Sequence, residues 1–224
     1  MDLACYIDHT ILKPTTTLPE IERLCTEAVR YRFAAVCVPP PFVKRAKSIL
    51  SPTDVKVATV IGFPFGYAPT ESKLAETILA MVDGADELDM VINLVALRMN
   101  DWNYLAKEIK IIVDVVHEKR RLLKVIIESG ILSDDEIIKC CEVIGALDID
   151  FMKTSTGYAE KGATLEAVQL IRKHLPSHIK IKASGGIRDY NFARSLAEAG
   201  ADRLGCSASV AIVTGDPDFN AVIN

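Results

Sequence analysis

Short apolar runs alternate along the chain with longer segments in which apolar and polar positions are mixed. The runs are rich in β-branched residues and lie close to Gly, Pro, Asp or Ser, which is typical of buried strands. The pattern predicts eight strands, at Tyr6–Thr10, Ala34–Val38, Lys56–Ile61, Leu88–Asn93, Leu122–Ile127, Phe151–Lys153, Lys180–Ala183 and Arg203–Cys206. Most of these segments are too short to be helices.

The longer segments between the predicted strands have helical spacing. One of them opens at Thr70 and holds Leu74, Ile78 and Val82 at intervals of about one turn. Another begins with Ser133 and Glu136, a pair that forms a capping box at the start of a helix. The helices predicted in this way are Leu18–Tyr31, the segment from Thr70, Trp102–His117, Asp134–Val143 and Asp189–Ala199.

The alternation of strands and helices predicts the fold class. Eight repeats without a linker or a low-complexity run indicate an α/β protein with one domain over residues 1–224, a single (β/α)8 TIM barrel. An open doubly wound sheet is the rival fold. It would usually carry a glycine-rich turn after the first strand, but the chain there reads Asp8-His9-Thr10-Ile11-Leu12-Lys13-Pro14. We therefore favour the barrel.

Composition and charge restrict the possible partners and the compartment. A net charge of -4 offers no general attraction to nucleic acid or to an anionic membrane. No apolar stretch approaches the ~18 residues that span a bilayer, and the first residues, MDLACYIDHT, lack the pattern of a signal peptide. The six cysteines lack zinc-ligand spacing and indicate reduced thiols. We expect a cytoplasmic protein with a small-molecule substrate and neither a nucleic-acid nor a membrane partner.

Residues at the carboxyl ends of the strands are the first candidates for chemistry, because barrel enzymes place their sites there. These residues are Asp8, Cys37, Gly62, Asp89, Asn93, Glu128, Lys153, Lys182 and Gly205. Lys153 and Lys182 end successive strands, where an unpaired ammonium is costly to bury. A neighbouring cation or an apolar wall favours the uncharged amine, which is a nucleophile. One lysine would then attack a carbonyl while the other keeps its charge.

A structural interpretation of these lysines competes with the catalytic one. A single such lysine could extend to the barrel rim or pair with Glu128 or Asp89. Asp89 shares a strand face with Val91, and a carboxylate that points into a barrel can relay protons or hold an ammonium group. It could also be only the ion-pair partner of Lys182 or Lys124. Two lysines and an acid at one rim favour catalysis.

Three glycine-containing loops predict an anion site. They contain the candidate phosphate-binding residues Thr156, Gly157, Gly185, Gly186, Gly205 and Ser207. Glycine lets the backbone approach a phosphate, and amide groups at the start of a helix donate to it. Many barrels hold phosphate in the loops after strands seven and eight. A lone Gly-Gly turn would be weak support, since such turns are common.

Other kinds of active site find little support. The four histidines lie mostly near helix ends, and no set of His, Asp and Glu has metal-ligand spacing. We therefore expect no metal and no cofactor. The chain also lacks the G-x-S-x-G nucleophile elbow of serine hydrolases.

The segments around the two lysines resemble those of the deoxyribose-phosphate aldolase family, a family of class I aldolases. Similar segments occur in order along nearly the whole chain. They are Ile7–Pro14, Ala35–Pro39, Val60–Gly66, Gly84–Val91, Leu123–Glu128, Phe151–Gly157 and Ile181–Arg188.

The resemblance implies a barrel that interconverts 2-deoxy-D-ribose 5-phosphate with glyceraldehyde 3-phosphate and acetaldehyde. It implies that Lys153 forms the imine, that Lys182 tunes it and that Asp89 is the acid of a proton relay. It also implies a phosphate cradle in the glycine loops, no metal, and a homodimer or higher homo-oligomer.

Two features differ from some members of that family. Tyr158 follows Gly157 at a position where members differ, and no tyrosine follows Tyr190 before the end at Ala221–Asn224. Some members use a terminal tyrosine in proton transfer, so we expect water to take that role here or turnover to be slower. Two alternatives stay open: an aldolase or transaldolase for another phosphosugar, and a phosphosugar-binding barrel without catalysis.

Overall fold

Eight parallel strands form a closed barrel in the computed structural model, which describes residues 1–215. Their order around the barrel follows the chain, and the first strand pairs with both the second and the last. The strands are β1 Ile7–Thr10, β2 Ala35–Val38, β3 Lys56–Ile61, β4 Glu87–Val91, β5 Leu122–Ile126, β6 Phe151–Lys153, β7 Lys180–Ser184 and β8 Arg203–Cys206. The predicted fold class and all eight predicted strands are thus confirmed, three of them with the predicted bounds.

Helices surround the barrel. In the described part of the chain they are α1 Leu18–Arg30, α2 Val43–Leu50, α3 Thr70–Val82, α4 Leu94–Arg98, α5 Trp102–Glu118, α6 Asp134–Ile144, α7 Leu165–His174, α8 Tyr190–Glu198 and α9 Ser209–Thr214. The five predicted helices are confirmed, and the structure adds α2, α4, α7 and α9. Residues 216–224 lie outside the described residues, so the predictions for Ala221–Asn224 and for one domain over 1–224 stay predictions.

The strands are buried on both faces, as parallel strands of a barrel are. Residues such as Leu88 and Met90 belong to the main apolar core, and the alternating Asp89 points into the barrel instead. A small separate cluster of Cys37, Ala58 and Val60 adds apolar lining on neighbouring strands. The barrel interior is therefore partly apolar and partly charged, and the charged part contains the residues described below.

The capping box predicted at Ser133 is present. The Ser133 hydroxyl accepts a hydrogen bond from the Glu136 N–H at 3.3 Å, and the Glu136 carboxylate accepts one from the Ser133 N–H at 2.8 Å. These contacts satisfy backbone donors that the first turn of α6 leaves unpaired. No helix within residues 1–215 has the length and apolarity needed to cross a bilayer.

The buried face of α3 differs from the face that its apolar spacing suggests. Lys73, Thr77 and Ala80 are buried, whereas Ile78 and Val82 are exposed. Lys73 faces inward because it has a buried partner of opposite charge. Apolar spacing alone therefore did not identify the packed face of this helix.

The buried ion pair of Lys73 connects three elements. Its ammonium donates to Glu108 on α5 at 2.9 Å and to the Val91 carbonyl at the end of β4 at 2.8 Å. Both side chains are fully inaccessible to solvent. Removal of one partner would leave a buried charge without compensation.

We therefore expect Lys73→Met to lower the free energy of unfolding by roughly 3–5 kcal/mol, because Glu108 loses its cation. The double variant Lys73→Met/Glu108→Leu should recover much of this loss. Urea denaturation followed by circular dichroism measures both. Lys110→Met, which breaks a surface pair with Asp114, is the control and should change little. A loss in the double variant as large as in Lys73→Met would contradict this account.

Candidate active site

Three buried lysines surround the carboxylate of Asp89. Lys153, the last residue of β6, and Lys182 on β7 donate to the same oxygen, Oδ2, at 2.8 and 2.7 Å. Lys124 on β5 donates to the other oxygen, Oδ1, at 2.8 Å. Lys153 and Lys182 are also register partners in adjacent strands. The two lysines predicted to act together are therefore side by side.

Asp8, Glu87 and Arg203 form a second group of charged side chains that is connected to this cluster. Asp8 on β1 accepts hydrogen bonds from Lys182 and, at 2.7 Å, from the Arg203 Nε. Arg203 also reaches Glu87, the first residue of β4, at 3.1 Å, and Glu87 pairs in turn with Lys124 at 2.5 Å. The interior thus holds four cationic side chains and three carboxylates in one continuous network.

Lys153 is the cationic member of this network whose pKa is lowered. Burial by itself lowers the pKa of all four cationic groups, because it disfavours the charged form. For Lys124, Lys182 and Arg203, neighbouring carboxylates outweigh burial and raise the pKa. For Lys153, burial and the charge of Lys182 together outweigh Asp89.

The main cause of the lowered Lys153 pKa is not the one on which the sequence hypothesis relied. That hypothesis relied on a second ammonium beside Lys153. In the structure burial is the larger cause and the charge of Lys182 is the smaller one. An uncharged amine on Lys153 also balances the network, since three cations then face three carboxylates.

Asp89 is an ionised carboxylate in this arrangement. Burial would raise its pKa, but Lys124, Lys153 and Lys182 together hold the pKa well below its usual range. A carboxylate held ionised pairs with charge or accepts a proton rather than donating one. The relay role expected for Asp89 stays a prediction, and the structure gives Asp89 the additional role of binding all three lysines.

A cavity of about 510 Å³ lies next to Lys153 at the carboxyl ends of the strands. Every residue predicted to bind phosphate lines it, and these are Thr156, Gly157, Gly185, Gly186, Gly205 and Ser207. Lys153 lines the cavity as well, whereas Lys182 and Asp89 do not. The cavity therefore combines the buried amine of Lys153 with glycine-containing loops, and Lys13 and Arg188 add two further cationic side chains to its lining.

Two glycines in these loops have physical reasons to be glycine. Gly186 has a φ of +78°, and a Cβ placed on it would meet nothing within 4 Å, so its backbone faces open space. Gly205 is needed for close packing instead, since a Cβ there would lie 2.8 Å from the Ser184 Cβ and 3.2 Å from the Lys182 Cε. Gly205 thus leaves room for the Lys182 side chain as well as lining the cavity.

Thr156 is held by Glu128 rather than free to rotate. Its hydroxyl donates to the Glu128 carboxylate, and its backbone N–H donates to Glu128 Oε1 at 3.2 Å. The Thr156 hydroxyl in turn accepts a hydrogen bond from the Tyr158 N–H at 3.0 Å. Glu128 therefore orders the loop after β6 and is not the lysine partner that the structural interpretation considered.

Sequence reasoning missed part of the network. Asp8 was noted only as a strand-end residue, and neither Glu87 nor Arg203 was singled out. The signal that could have found them is the presence of charged residues inside short, otherwise apolar strands. Their pairing depends on strands far apart in the chain, which the sequence does not place together.

His9, the histidine near a strand end, has a packing role. Its ring nitrogens contact the Glu27 carboxylate at 2.8 Å and the Ser209 hydroxyl at 2.9 Å, which joins β1 to α1 and α9. Within residues 1–215, no group of three or more His, Cys, Asp and Glu side chains is placed to hold a metal ion.

A closed barrel with a buried lysine of lowered pKa beside a glycine-lined cavity is the arrangement expected of an enzyme with an amine nucleophile. The sequence matches the family described as DeoC/LacD family aldolase over residues 3–212. The chain therefore belongs to this aldolase family.

Individual relatives agree with this assignment over nearly the full length. A deoxyribose-phosphate aldolase from Thermococcus gammatolerans is 52% identical over 217 residues, which cover 96% of each chain. A solved structure described as QR15, an aldolase, has a TM-score of 0.89 and 42% identity, covering 95% of this chain and 94% of that one. The tetrameric deoxyribose phosphate aldolase from Aeropyrum pernix has a TM-score of 0.88 and 32% identity, with 94% and 88% covered.

We expect Lys182→Met to raise the pKa of Lys153, because it removes a positive charge that lowers this pKa. Acetic anhydride acetylates the uncharged amine, so the rate of Lys153 acetylation should increase with pH. The midpoint of this increase, measured by peptide mass spectrometry, should lie at a higher pH in Lys182→Met than in the wild type. The fold should persist, since Asp8 keeps Arg203 and Asp89 keeps Lys124 and Lys153.

The matched control for this variant is Lys180→Met, which changes an exposed lysine on the same strand. It should leave the pH dependence of Lys153 acetylation unchanged. An unchanged or lower midpoint in Lys182→Met would show that Lys182 does not tune Lys153.

Proposed function

We propose that this protein is a deoxyribose-phosphate aldolase, which cleaves 2-deoxy-D-ribose 5-phosphate reversibly to D-glyceraldehyde 3-phosphate and acetaldehyde through an imine on Lys153. The observation that carries this proposal is the position of Lys153. It has the lowered pKa of a nucleophilic amine and lines the same cavity as the glycine loops that suit a phosphate. Family membership and the names of the relatives support the same activity.

The proposed reaction begins when the uncharged Lys153 amine attacks the C1 aldehyde of the open-chain sugar. The carbinolamine formed in this step loses water to give the imine. The resulting protonated imine withdraws electrons while the C2–C3 bond breaks. A base removes the proton of the C3 hydroxyl, so C3 leaves as the aldehyde of glyceraldehyde 3-phosphate. The enamine that remains takes up a proton at C2, and water then hydrolyses the imine to release acetaldehyde.

Lys182 and Asp89 support this chemistry in the proposal. Lys182 keeps its charge because two carboxylates contact it, and this charge favours an uncharged Lys153. Asp89 holds the amine of Lys153 at 2.8 Å before the reaction and can accept a proton afterwards. Asp89 and water are the candidates for the base that acts at the C3 hydroxyl, since the charged Lys182 ammonium cannot accept a proton.

The phosphate end of the substrate would lie against the glycine loops. Gly157, Gly185 and Gly186 expose backbone in left-handed conformations, with φ of +86°, +86° and +78°. Gly205 and Ser207 line the same cavity at the end of β8 and just after it. Backbone amides and a hydroxyl of this kind bind a phosphate, and the side chains of Lys13 and Arg188 line the same cavity.

We further propose that the protein acts in the cytoplasm as a homodimer or a higher homo-oligomer. The described cysteines are all free thiols and most are buried, which suits a reducing compartment. The relative from Aeropyrum pernix is described as tetrameric. Light scattering of the purified protein tests the proposed assembly, and a monomer would contradict it.

Borohydride trapping tests the proposed function directly. With 2-deoxyribose 5-phosphate and borohydride, we expect one reduced adduct, at Lys153, because the reagent converts an imine to a stable amine. Peptide mapping by mass spectrometry locates it. Lys153→Ala should lose the adduct and at least about a thousandfold in kcat/KM, since the covalent step has no substitute.

The control in this experiment is Lys161→Ala, an exposed lysine that does not line the cavity. It should keep the adduct and the activity. Hexose phosphates serve as comparison substrates for the alternative aldolases. An adduct at another lysine, no adduct at all, or faster cleavage of a hexose phosphate would each reject the proposal.

Ser207→Glu tests the phosphate end. We expect this change to raise KM for 2-deoxyribose 5-phosphate by about tenfold or more, because the new carboxylate repels the phosphate across a short distance. Steady-state kinetics with the phosphorylated sugar and with 2-deoxyribose separate this effect from a general loss. Ser51→Glu, an exposed position outside the cavity, is the control. An equal loss with both substrates would remove Ser207 from phosphate recognition.

A further inference from the structure

Arg203 lies at the end of the barrel opposite the cavity. It is the first residue of β8, and its partner Glu87 is the first residue of β4, whereas Lys153 is the last residue of β6. The Arg203 side chain is 14% exposed, and neither it nor Glu87 lines the cavity. Arg203 therefore cannot touch a substrate that is bound at Lys153.

The contacts of Arg203 nevertheless connect it to the candidate site. Its Nε donates to Asp8 Oδ1 at 2.7 Å, while the other oxygen of Asp8 accepts a hydrogen bond from Lys182. Lys182 in turn shares Asp89 Oδ2 with Lys153. A chain of direct contacts thus runs from Arg203 through Asp8, Lys182 and Asp89 to the amine at the cavity.

The guanidinium group suits this task better than an ammonium group would. Arg203 spans two carboxylates, Asp8 and Glu87, and the second contact is 3.1 Å long. Its planar fork has several donors in fixed directions and stays charged when it is buried. The fork holds Asp8 at one oxygen, so that the other oxygen points at Lys182.

We propose that Arg203 is a positioning residue for the aldol reaction: through Asp8 it fixes Lys182 beside Lys153, and it supplies the fourth cation of the interior network. This inference rests on the proposed function of Lys153. The four cations and three carboxylates leave one positive charge in excess. The buried network is balanced when one of the four groups gives up its proton, and Lys153 is the group that has a single carboxylate contact.

The groups that face Lys153 come from several strands. Asp89 on β4, Lys182 on β7 and the thiol of Cys37 on β2 interact with it. The carboxylate of Glu128, in the loop after β5, also interacts with Lys153. Burial raises the pKa of the Cys37 thiol, which keeps it uncharged. Asp89 and Lys182 are therefore the charges that decide the protonation of Lys153, and Arg203 acts on both of them.

Two variants change the charge count in opposite directions. Arg203→Met removes a cation, so three cations face three carboxylates and Lys153 should retain its proton to a higher pH. We expect the midpoint pH of Lys153 acetylation by acetic anhydride to increase by about one unit. Glu87→Gln removes a carboxylate and should move the midpoint to a lower pH.

The double variant Arg203→Met/Glu87→Gln restores the excess of one cation. Three lysines then face Asp8 and Asp89, so we expect the acetylation profile to return to that of the wild type. kcat for 2-deoxyribose 5-phosphate should still fall about tenfold, because without Arg203 the Asp8 carboxylate that contacts Lys182 is no longer fixed in position. KM should stay within about twofold, because neither residue lines the cavity.

Arg203→Lys keeps the charge but has a single nitrogen to share between Asp8 and Glu87. It should keep the wild-type pH profile and lose part of kcat. Arg45→Met, which breaks a surface pair with Glu22, is the control and should change neither quantity. If Arg203→Met does not fold, the double variant and Arg203→Lys decide the question, since each leaves fewer buried charges without a partner.

A wild-type pH profile in Arg203→Met, or a shifted profile in the double variant, would overturn the proposed role of charge. An unchanged kcat in Arg203→Met/Glu87→Gln would overturn the positioning role. Acetylation of Lys153 needs no substrate, so these outcomes can be told apart from a failure of the proposed function, which would appear as a missing borohydride adduct in the wild type.

Discussion

The structure depends on the shared carboxylate of Asp89 inside the barrel. Three ammonium groups from neighbouring strands converge on its two oxygens at distances of 2.7–2.8 Å. Each of these groups would cost several kcal/mol to bury alone, so the cluster is tolerable only as a network in which nearly every charge has a partner. Asp8, Glu87 and Arg203 complete that network on the side away from the cavity. The excess of one positive charge makes the network sensitive to protonation, and Lys153 is the member of the network that lines the cavity.

The closed barrel converts this electrostatic balance into a site. Parallel strands turn alternate side chains inward, so Asp89 and Lys153, which are distant in the chain, meet at the centre. The same geometry brings the loops after β6, β7 and β8 together, and their glycines surround the cavity beside the amine. A nucleophile from the interior and an anion site from the loops are thus products of one architecture. The family assignment agrees, since aldolases of this family resemble the chain in both sequence and fold.

Local sequence signals predicted some features well and others poorly. The strands were found because buried parallel strands are short, apolar and β-branched, and the α6 capping box was found because it involves residues three positions apart. The face of α3 was not found, because Lys73 is buried by a partner on α5 and no local pattern shows that partner. The helices α2, α4, α7 and α9 were not identified at all. Two of them carry a local signal that was overlooked, since Asn93 caps α4 and Thr164 caps α7. The short helices α2 and α9 have no side-chain cap.

The sequence by itself determined the kind of residues available: two lysines in successive strands, an acid in a third strand, and three glycine loops after the last strands. Lys153 ends β6 as predicted, whereas Lys182 lies in the middle of β7. Those signals sufficed for the barrel and for the residues that line the cavity, because each is a property of a short segment. Only the tertiary structure decided how the charges pair. In the structure Asp89 is the common partner of three lysines. Glu128 accepts a hydrogen bond from Thr156, and Asp8 accepts one from Arg203. Such pairings join strands that are far apart in the chain, and the free energy of a buried charge depends on all its neighbours at once.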